Sequence, residues 1–448
     1  MTDTDTFSSS AASSSRNPLN SIAVHIEVRL HPDSTATDAS IRAETISYLS
    51  RNCPTLTADT ELLSWPQSPF LSANVDRIRI AEISSAIPSV PTSLAKVEVH
   101  VYQPPLSDIV DEFSAADPSS DDTADETTAA SVSELPNRTL DGVWDTLVYS
   151  DGIKPKLLNY IYTTLLFSDA NVNFNLVSWN RVVLLHGPPG TGKTSLCKAL
   201  AQKLAIRLSH RYTHGKLVEI NSHSLFSKWF SESGKLVQRL FSMITEMVED
   251  DDAFVVVLID EVESLTADRS AAADGSEPTD SIRVVNALLT QLDKLKHRKN
   301  VLIMTTSNLC SSIDDAFLDR ADIKQYVGLP PPKAIYWILQ SCLRELIRVA
   351  LVAPVDLPSY EQAEKDYGRV QAEEGGRKGV EGSAGARLLE IAHACQGLSG
   401  RSLRRLPVLA HAHHIGMAAA PVEVKMWLEA MDLALREIKA DADDGRTF

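Results

Sequence analysis

Polar and apolar residues alternate in three stretches near the amino-terminal end of the chain. Every second residue from Ile22 to Leu30 is apolar, and the period of two returns at 75–83 and 97–101. Such alternation is typical of β-strands that bury one face. Helical periodicity lies between the first two stretches, near residues 38–50. The pattern predicts a small α+β module over residues 21–105, in which no motif points to catalysis.

The middle of the chain alternates between helical patterns and short apolar runs. The runs lie at Val182–Leu185, Phe254–Ile259 and Val301–Thr305. Strands buried on both faces appear as continuous apolar runs, and strands that alternate with helices form parallel sheets. The pattern therefore predicts a large α/β subdomain over residues 139–332, with a parallel sheet flanked by helices.

Helical patterns dominate the rest of the chain and predict a small helical subdomain over residues 333–448. The Gly- and Glu-rich segment 361–386 interrupts them, and we interpret it as a disordered surface loop. Residues 106–138 are acidic and contain no Lys or Arg before the last position. This composition predicts a flexible linker. The Ser-rich residues 1–20 are predicted to be a disordered tail.

Composition and charge narrow the possible classes of protein. The chain is 44% hydrophobic and 23% charged, which is typical of soluble globular proteins. No apolar run approaches the roughly eighteen residues of a membrane span, and the first residues lack a targeting signal, so we expect an intracellular protein. The five cysteines have no CxxC spacing, which favours free thiols. A net charge of −16 disfavours nonspecific binding to nucleic acid or anionic membranes.

The apolar run at Val182–Leu185 leads into HGPPGTGKT, residues 186–194, and then into a helical pattern. GxxxxGK[ST] between a strand and a helix is the context of a phosphate-binding P-loop, in which backbone N–H groups and the helix dipole face the phosphates. We expect Lys193 to reach the β- and γ-phosphates of ATP and the Thr194 hydroxyl to bind Mg²⁺. The predicted nucleotide-binding residues are Gly187, Pro188, Pro189, Gly190, Thr191, Gly192, Lys193, Thr194, Ser195 and Asp260.

Polar residues end the other two apolar runs. Asp260 and Glu261 follow the run at 254–259, and Asn308 follows the run that begins at Val301. The carboxyl ends of parallel strands meet at one edge of the sheet, where ligands bind. We therefore expect Asp260 to hold Mg²⁺ through water, Glu261 to act as general base on the attacking water, and Asn308 to orient that water. The non-catalytic interpretations are that Asp260 and Glu261 only cap the end of a strand and that Asn308 is only a turn residue.

Two arginine positions outside the P-loop are candidates for contact with the γ-phosphate. Arg320 stands among acidic residues, so a local ion pair is one interpretation. Its distance downstream of the strand that ends in Asn308 favours an arginine finger presented to a neighbouring subunit. Arg401, in the stretch GLSGR, is the candidate for a contact within the same subunit, and Arg404 and Arg405 are its alternatives.

These features together resemble the AAA+ ATPases: GPPGTGKT, the acidic pair in VVVLIDEVE, Asn308, Arg320 and Arg401. The blocks GVWDTLVYS, EINSHSLFSKWFSESGK, RVVNALLTQLD, DRADIKQYVG and GLSGRSLRRLP are similar to the pachytene checkpoint protein 2 family. The resemblance is strong over 139–350 and 388–448 and fainter over 21–105. It implies an AAA+ P-loop NTPase fold, in which the helical subdomain is a lid and the amino-terminal module recognises substrate or adaptor.

The resemblance also implies an activity. Members of the family form homohexameric rings that use ATP and Mg²⁺ to remodel HORMA-domain proteins. The amino-terminal segment of the client is drawn into the pore, and the closed, partner-bound client becomes open. Mad2-like spindle-checkpoint proteins, often delivered by an adaptor, and meiotic chromosome-axis proteins are the clients, which implies a location in the nucleus, on chromosomes, and in the cytoplasm. No membrane and no direct nucleic-acid binding are expected.

Two neighbouring aromatic residues stand in the polar segment NSHSLFSKWFSES, residues 221–233. Adjacent side chains on a helix or strand cannot both face one core. In AAA+ rings this region projects a loop towards the central pore, where an aromatic side chain can grip an extended polypeptide. We therefore expect Trp229 to face the pore, Phe230 to support it from below, and Lys228 to steer acidic or carbonyl groups of the client.

Two other functions are compatible with a P-loop. A nucleic-acid motor or clamp loader would place basic residues at the pore, whereas the expected second pore loop, residues 270–281, has no Lys or Arg. A scaffold that binds ATP without turnover would not require the set of Glu261, Asn308 and Arg320.

A histidine cluster, His411, His413 and His414, is the one sequence feature that raises the question of a metal site. We interpret it as partly exposed helix surface, because no carboxylate or thiol lies near it in the sequence.

Overall fold

A computed structural model describes most of the chain, and its described residues form two compact units. The first unit consists of residues 1–106 together with Ile206–His210, and the second consists of residues 107–205 and 211–448. No helix in the described part is long and apolar enough to cross a bilayer. The described residues are 22–83, 87–105, 110–114, 128–149, 152–222, 233–264, 279–309, 313–374, 383–416 and 421–443.

The first unit is built on a four-stranded sheet with the order β3-β4-β1-β6. β1 runs parallel to β6 and antiparallel to β4. Alternate residues of β1, among them Val24, Ile26 and Val28, are fully buried against Ile41 and Leu49 of α1. The predicted α+β module is therefore confirmed. Its elements are β1 (Ile22–Leu30), α1 (Asp38–Asn52), β2 (Thr55–Thr57), β3 (Thr60–Leu62), α2 (Pro69–Asn74), β4 (Val75–Ile83), β5 (Ser89–Pro91) and β6 (Ala95–Tyr102).

The other face of this sheet buries a charge. The guanidinium of Arg207, in the segment Ile206–His210 of the same unit, is 1% exposed and forms ion pairs with Glu27 of β1 and Glu82 of β4. A buried cation is costly unless carboxylates partner it, so the two glutamates compensate the burial of Arg207. The polar half of the β1 alternation thus faces a charged layer rather than bulk solvent.

The second unit contains a seven-stranded sheet with the order β13-β9-β12-β11-β10-β8-β7. The five strands from β13 to β10 are parallel, which confirms the predicted α/β class. Its elements are β7 (Val110–Ser114), β8 (Thr128–Leu135), α3 (Val143–Thr146), α4 (Ile153–Asp169), β9 (Val182–His186), α5 (Lys193–Arg207), β10 (His214–Asn221), α6 (Ser233–Glu249), β11 (Ala253–Asp260), α7 (Thr279–Leu295), β12 (Val301–Ser307), α8 (Asp315–Arg320) and β13 (Ile323–Tyr326).

The acidic segment 106–138 is not simply a linker, and the prediction is wrong for β7 and β8. β8 pairs antiparallel with β10, and β7 pairs antiparallel with β8, so the sheet is mixed. Ala130 and Val132 of β8 are buried in the core of the sheet. The alternation of small apolar residues in β8 is short, and the acidic composition of the segment outweighed it in the prediction. Such a strand gains stability only from pairing with the edge of the sheet.

Five α-helices follow the sheet among the described residues, and they confirm the predicted helical character of this region: α9 (Pro332–Arg348), α10 (Tyr360–Glu374), α11 (Ala384–Ala394), α12 (Gly400–Ala410) and α13 (Val424–Asp443). The interpretation of 361–386 as a disordered loop is wrong at both ends, because α10 covers 361–374 and α11 begins at Ala384. Ala363 of α10 is fully buried in the helical core. Tyr360 and Tyr367 of the same helix pack against this core and are partly buried, so the helix has a short apolar face that its Glu- and Gly-rich composition hid.

Several predicted features lie outside the described residues. They are the tail at 1–20, the segment with Lys228, Trp229 and Phe230, and most of the expected second pore loop at 270–281.

The histidine cluster is described, and its surroundings correct one expectation. His413 and His414 lie 3.1 and 3.4 Å from the carboxylate of Glu437 on α13. A carboxylate is therefore present, although it follows the cluster by more than twenty residues in the sequence.

Candidate active site

The P-loop connects β9 to α5, which begins at Lys193. Gly187 has a φ of 143°, and a Cβ there would lie 2.3 Å from the carbonyl oxygen of Val327. Gly190 has a φ of 73°, and a Cβ there would lie 2.8 Å from Ser399 Oγ. Glycine is needed at both positions, because a side chain would meet backbone at the first and the lid at the second.

Lys193 is held inside the loop by three hydrogen bonds. Its Nζ donates to the carbonyl oxygens of Gly187 and Pro188 and to Asn308 Oδ1, each at 2.8 Å. Burial lowers the pKa of Lys193, and the carboxylates of Glu263, Asp260 and Glu261 oppose that shift. The lysine is thus a positioned cation, for which the phosphate oxygens of a nucleotide are stronger partners than carbonyl groups.

Asp260 accepts hydrogen bonds from three hydroxyl groups at the carboxyl end of β11. Its Oδ1 accepts a hydrogen bond from Thr194 Oγ1 at 2.8 Å and another from Thr306 Oγ1. Ser222 Oγ donates to the Asp260 carbonyl oxygen. The P-loop threonine and the strand-end aspartate are therefore adjacent, as the sequence predicted, and they present the hard oxygen ligands that suit Mg²⁺.

Glu261 has an unusual backbone conformation. Its φ is 53°, a left-handed value that costs a residue with a Cβ about 1–3 kcal/mol. Two hydrogen bonds to Thr306 hold this turn: Glu261 N–H donates to the hydroxyl at 3.1 Å, and Val262 N–H donates to the carbonyl oxygen at 2.9 Å. The Glu261 side chain is exposed directly after the carboxylate of Asp260.

Asn308 lies beside the P-loop and is fixed from two sides. Its Oδ1 accepts from Lys193, and its backbone N–H donates to Glu263 Oε1 at 2.9 Å. Sequence reasoning missed both Glu263 and Thr306, which position the predicted residues. The available signal was their place at the ends of the same two apolar runs, although strand hydroxyls and acids are too common to be singled out.

A cavity of about 730 Å³ adjoins the P-loop and matches the size of small-molecule sites. Sequence reasoning did not predict it. Its walls combine P-loop backbone, apolar and aromatic side chains, and two arginines of the lid. The lining residues are Val143, Thr146, Leu147, Val148, Tyr149, Ile153, Gly190, Thr191, Gly192, Ser195, Tyr326, Gly328, Leu329, Pro330, Pro331, Ile338, Gly400, Arg401 and Arg404.

The lid contacts the P-loop through the start of α12. Ser399 caps this helix by accepting a hydrogen bond from Ser402 N–H, and Arg401 N–H donates to the Gly190 carbonyl oxygen at 3.2 Å. Arg401 and its alternative Arg404 both line the cavity, whereas Arg405 is not among the lining residues. Arg401 is the lining arginine whose own backbone is bonded to the P-loop.

Arg320 lies apart from these residues. Its guanidinium forms a two-point ion pair with Asp293, at 2.8 and 3.1 Å, rather than with one of the acidic residues next to it in the sequence. Two residues on, Asp322 N–H donates to the Val182 carbonyl oxygen at the start of β9. Roughly 13 Å of strand separates Val182 from His186, where the P-loop begins. Arg320 is therefore at the opposite edge of the sheet from its own P-loop.

The fold and this site define a P-loop ATPase of the AAA+ class. Residues 183–329 match the family described as "ATPase family associated with various cellular activities (AAA)". Residues 331–439 match "TRIP13-like, AAA+ ATPase lid C-terminal domain", and residues 19–107 match "TRIP13 N-terminal domain".

Similarity to whole proteins identifies the family. The chain is 45% identical to the Pachytene checkpoint protein 2 homolog of Xenopus tropicalis, over 94% of each chain. It is 46% identical to the Homo sapiens homolog, over 92% of each. The solved structure of C. elegans PCH-2 is 31% identical with a TM-score of 0.70, covering 93% of this chain and 99% of that one. The chain belongs to the pachytene checkpoint protein 2 family.

The hydrogen bonds of Thr306 lead to a prediction about turnover. Thr306→Val keeps the shape of the side chain but removes the bond to Asp260 and the bond from Glu261 N–H. Because such charge-assisted bonds are strong, we expect kcat for ATP hydrolysis to fall roughly ten- to a hundredfold, with little change in ATP affinity. Steady-state phosphate release and nucleotide titration measure the two quantities.

Thr305→Val is the matched control. Thr305 is also fully buried, but its hydroxyl donates to the Val183 carbonyl oxygen at 3.3 Å and does not contact Asp260. Equal loss of turnover in both variants would mean that strand packing, rather than the contact with Asp260, determines the effect.

Proposed function

We propose that the chain forms a homohexameric ring that uses ATP hydrolysis to remodel HORMA-domain proteins from the closed, partner-bound state to the open state. Likeness to pachytene checkpoint protein 2 homologs over the amino-terminal module, the ATPase core and the lid carries this proposal. An ATPase core alone would not distinguish among AAA+ functions, whereas the two flanking domains are specific to this family.

Each site residue has a separate role in the proposed hydrolysis reaction. Lys193 binds the β- and γ-phosphates, and the oxygens of Thr194 and Asp260 hold Mg²⁺, the latter through water. Bound Mg²⁺ neutralises phosphate charge and orients the phosphates. Glu261 accepts the proton of the attacking water, and Asn308 orients that water. The position of Glu261 supports the role of general base, because its exposed side chain follows directly after Asp260 and its charge acts on the P-loop lysine Lys193.

The position of Arg320 supports an assembly of several copies. A finger that stabilises transferred phosphate must touch the γ-phosphate, and Arg320 is at the opposite edge of the sheet from its own P-loop. Exposed apolar side chains on the same unit also support a contact with a partner surface. Leu166 and Leu176 are 64% and 83% exposed, and Phe167 and Val177 lie next to them in the chain. We assign these features to contacts between neighbouring subunits of the ring.

Mixing two inactive variants tests whether Arg320 acts on a neighbour. Arg320→Ala should lower turnover by about 10³-fold or more, and Glu261→Gln should also be inactive. In a mixed ring, an Arg320→Ala subunit with intact Glu261 can receive Arg320 from a Glu261→Gln neighbour. We therefore expect phosphate release to recover in the mixture, measured as a function of the ratio of the two variants.

Arg401→Ala provides the control for the mixing experiment. Arg401 is proposed to act within its own subunit, so no mixed interface with Glu261→Gln contains both residues in one site. No recovery is expected for this pair. An Arg320→Ala mixture that stays as inactive as the Arg401→Ala mixture would refute the finger in trans.

Lys228, Trp229 and Phe230 are proposed to contact the client in the ring pore. Trp229→Ala should retain ATP binding and basal hydrolysis but lose conversion of a closed Mad2-like client to its open form, because the apolar grip on the chain is gone. The measurement is the fraction of client converted, obtained by separating the closed and open conformers. Phe113→Ala, which is far from the pore segment in the sequence, is the control variant. Loss of ATP binding in Trp229→Ala would identify a core residue instead.

The proposed cellular role follows from the client class. HORMA-domain clients, delivered in some cases by an adaptor that the amino-terminal module recognises, place the protein in spindle-checkpoint signalling and in meiotic recombination and chromosome-axis control. Its proposed locations are the nucleus, on chromosomes, and the cytoplasm. An AAA+ ATPase acting on nucleic acid is the alternative, and tight ATP-dependent binding to DNA at low salt would favour it.

A further inference from the structure

The polar face of the amino-terminal sheet brings together two histidines and a glutamate. β1 and β6 are parallel neighbours, with His25 opposite Glu98 and Glu27 opposite His100. Because residues two apart on a strand point to the same face, His25, Glu98 and His100 project from the face opposite the apolar core. No catalytic or nucleotide-binding role is assigned to any of the three.

The distances among these side chains match those of metal ligands. His25 Nδ1 is 3.2 Å from His100 Nε2 and 3.5 Å from Glu98 Oε2. One ligand atom from each residue lies within 4.8 Å of the others. With metal–ligand bonds of about 2.0–2.1 Å, two ligands of a tetrahedral zinc ion lie about 3.3 Å apart. The distances from His25 Nδ1 to His100 Nε2 and to Glu98 Oε2 are therefore close to the ligand–ligand distances of a tetrahedral site, and the register of β1 and β6 sets them.

Both imidazoles are in the protonation state that binds metals. Burial lowers the pKa of His25 and of His100 to about 4, and the charge of Arg207 adds to the shift at His25. A lowered pKa means that the neutral form is present at pH 7, so metal binding requires only a change of tautomer in the ring that donates the hydrogen bond, after which both facing nitrogens offer a lone pair.

Charges of both signs surround the cluster. Besides burial, Arg207 lowers the pKa of His25 and Arg42 lowers that of His100, so both arginines oppose a cation. Glu27 and Glu98 act on both rings in the opposite direction. Glu27 and Glu82 also form ion pairs with Arg207, which offset its charge. Glu98 pairs with Lys96 at 2.8 Å through its other oxygen, and this exposed pair is weak in water.

Access to the cluster is possible from one side. The side chain of His25 is 16% exposed and that of Glu98 is 36% exposed, whereas His100 is buried. An ion can therefore reach the two nitrogens and the carboxylate from solvent, and a water molecule can complete its coordination.

We propose that His25, Glu98 and His100 form a binding site for a divalent transition-metal ion, Zn²⁺ by preference, with water as the fourth ligand. Two imidazoles and one carboxylate are a ligand set that zinc sites use, and first-row metals with imidazole ligands are favoured over Mg²⁺. The ion would tie β1 to β6 at the face that contains the buried Arg207. The competing interpretation is a hydrogen bond between two neutral imidazoles with no ion.

Metal titration of the full-length chain decides between the two. The protein is first stripped with a chelator and kept free of nucleotide and Mg²⁺. Co²⁺ is then added as a spectroscopic probe, and Zn²⁺ is used to displace it. We expect one ion per chain with the visible absorption of tetrahedral Co²⁺. His25→Gln and Glu98→Gln should each weaken binding at least about tenfold. Absence of a tetrahedral band in the unsubstituted chain would overturn the proposal.

Two control variants separate the site from other effects. His413→Gln changes a histidine beside His414 and Glu437, so unchanged binding in this variant excludes the lid cluster, and lost binding there would contradict the proposal. Lys96→Gln frees Glu98 from its ion pair and should tighten binding about two- to fivefold. ATP binding by each variant verifies that the chain is folded. Full binding retained in His25→Gln and Glu98→Gln would also overturn the assignment.

Discussion

The nucleotide site depends on the carboxylate of Asp260 at the end of β11. Hydroxyl groups from the P-loop and from β12 both donate to Oδ1 of this residue, so one anionic atom connects the ends of neighbouring parallel strands. A charged acceptor makes these bonds stronger than bonds between neutral groups. The positions of Thr194, of the turn at Glu261 and, through β12, of Asn308 all follow from this contact.

Two arginines singled out by the sequence lie in different positions relative to the P-loop. Arg401 is bonded to the P-loop through its own backbone and lines the cavity beside it, so it belongs to the site of its own chain. Arg320 is held by Asp293 at the opposite edge of the sheet. In the assembly proposed above, Arg320 would act on the site of a neighbouring subunit and Arg401 on the site of its own chain.

The sequence predicted the parallel sheet, and the structure brings the polar residues at the ends of its apolar runs, Asp260 and Asn308, into contact with the P-loop. The sequence could not distinguish Thr306 from Thr305, since only the register with β11 determines which hydroxyl faces Asp260. It also failed at β8 and α10, where acidic or Glu-rich composition outweighed the few small residues, such as Val132 and Ala363, that pack inward. Their stability comes from tertiary contacts, which local composition does not record.

The central claim is that the charge of Asp260 organises Mg²⁺ and the neighbouring strands into one ATPase site. The most direct measurement is ATP affinity of Asp260→Asn with Mg²⁺ and with a chelator, together with phosphate release. Asparagine keeps an acceptor oxygen but loses the charge. We expect the variant to stay folded, to lose most of the gain in ATP affinity that Mg²⁺ gives the unsubstituted chain, and to release almost no phosphate. Undiminished Mg²⁺ dependence with normal turnover would contradict the account.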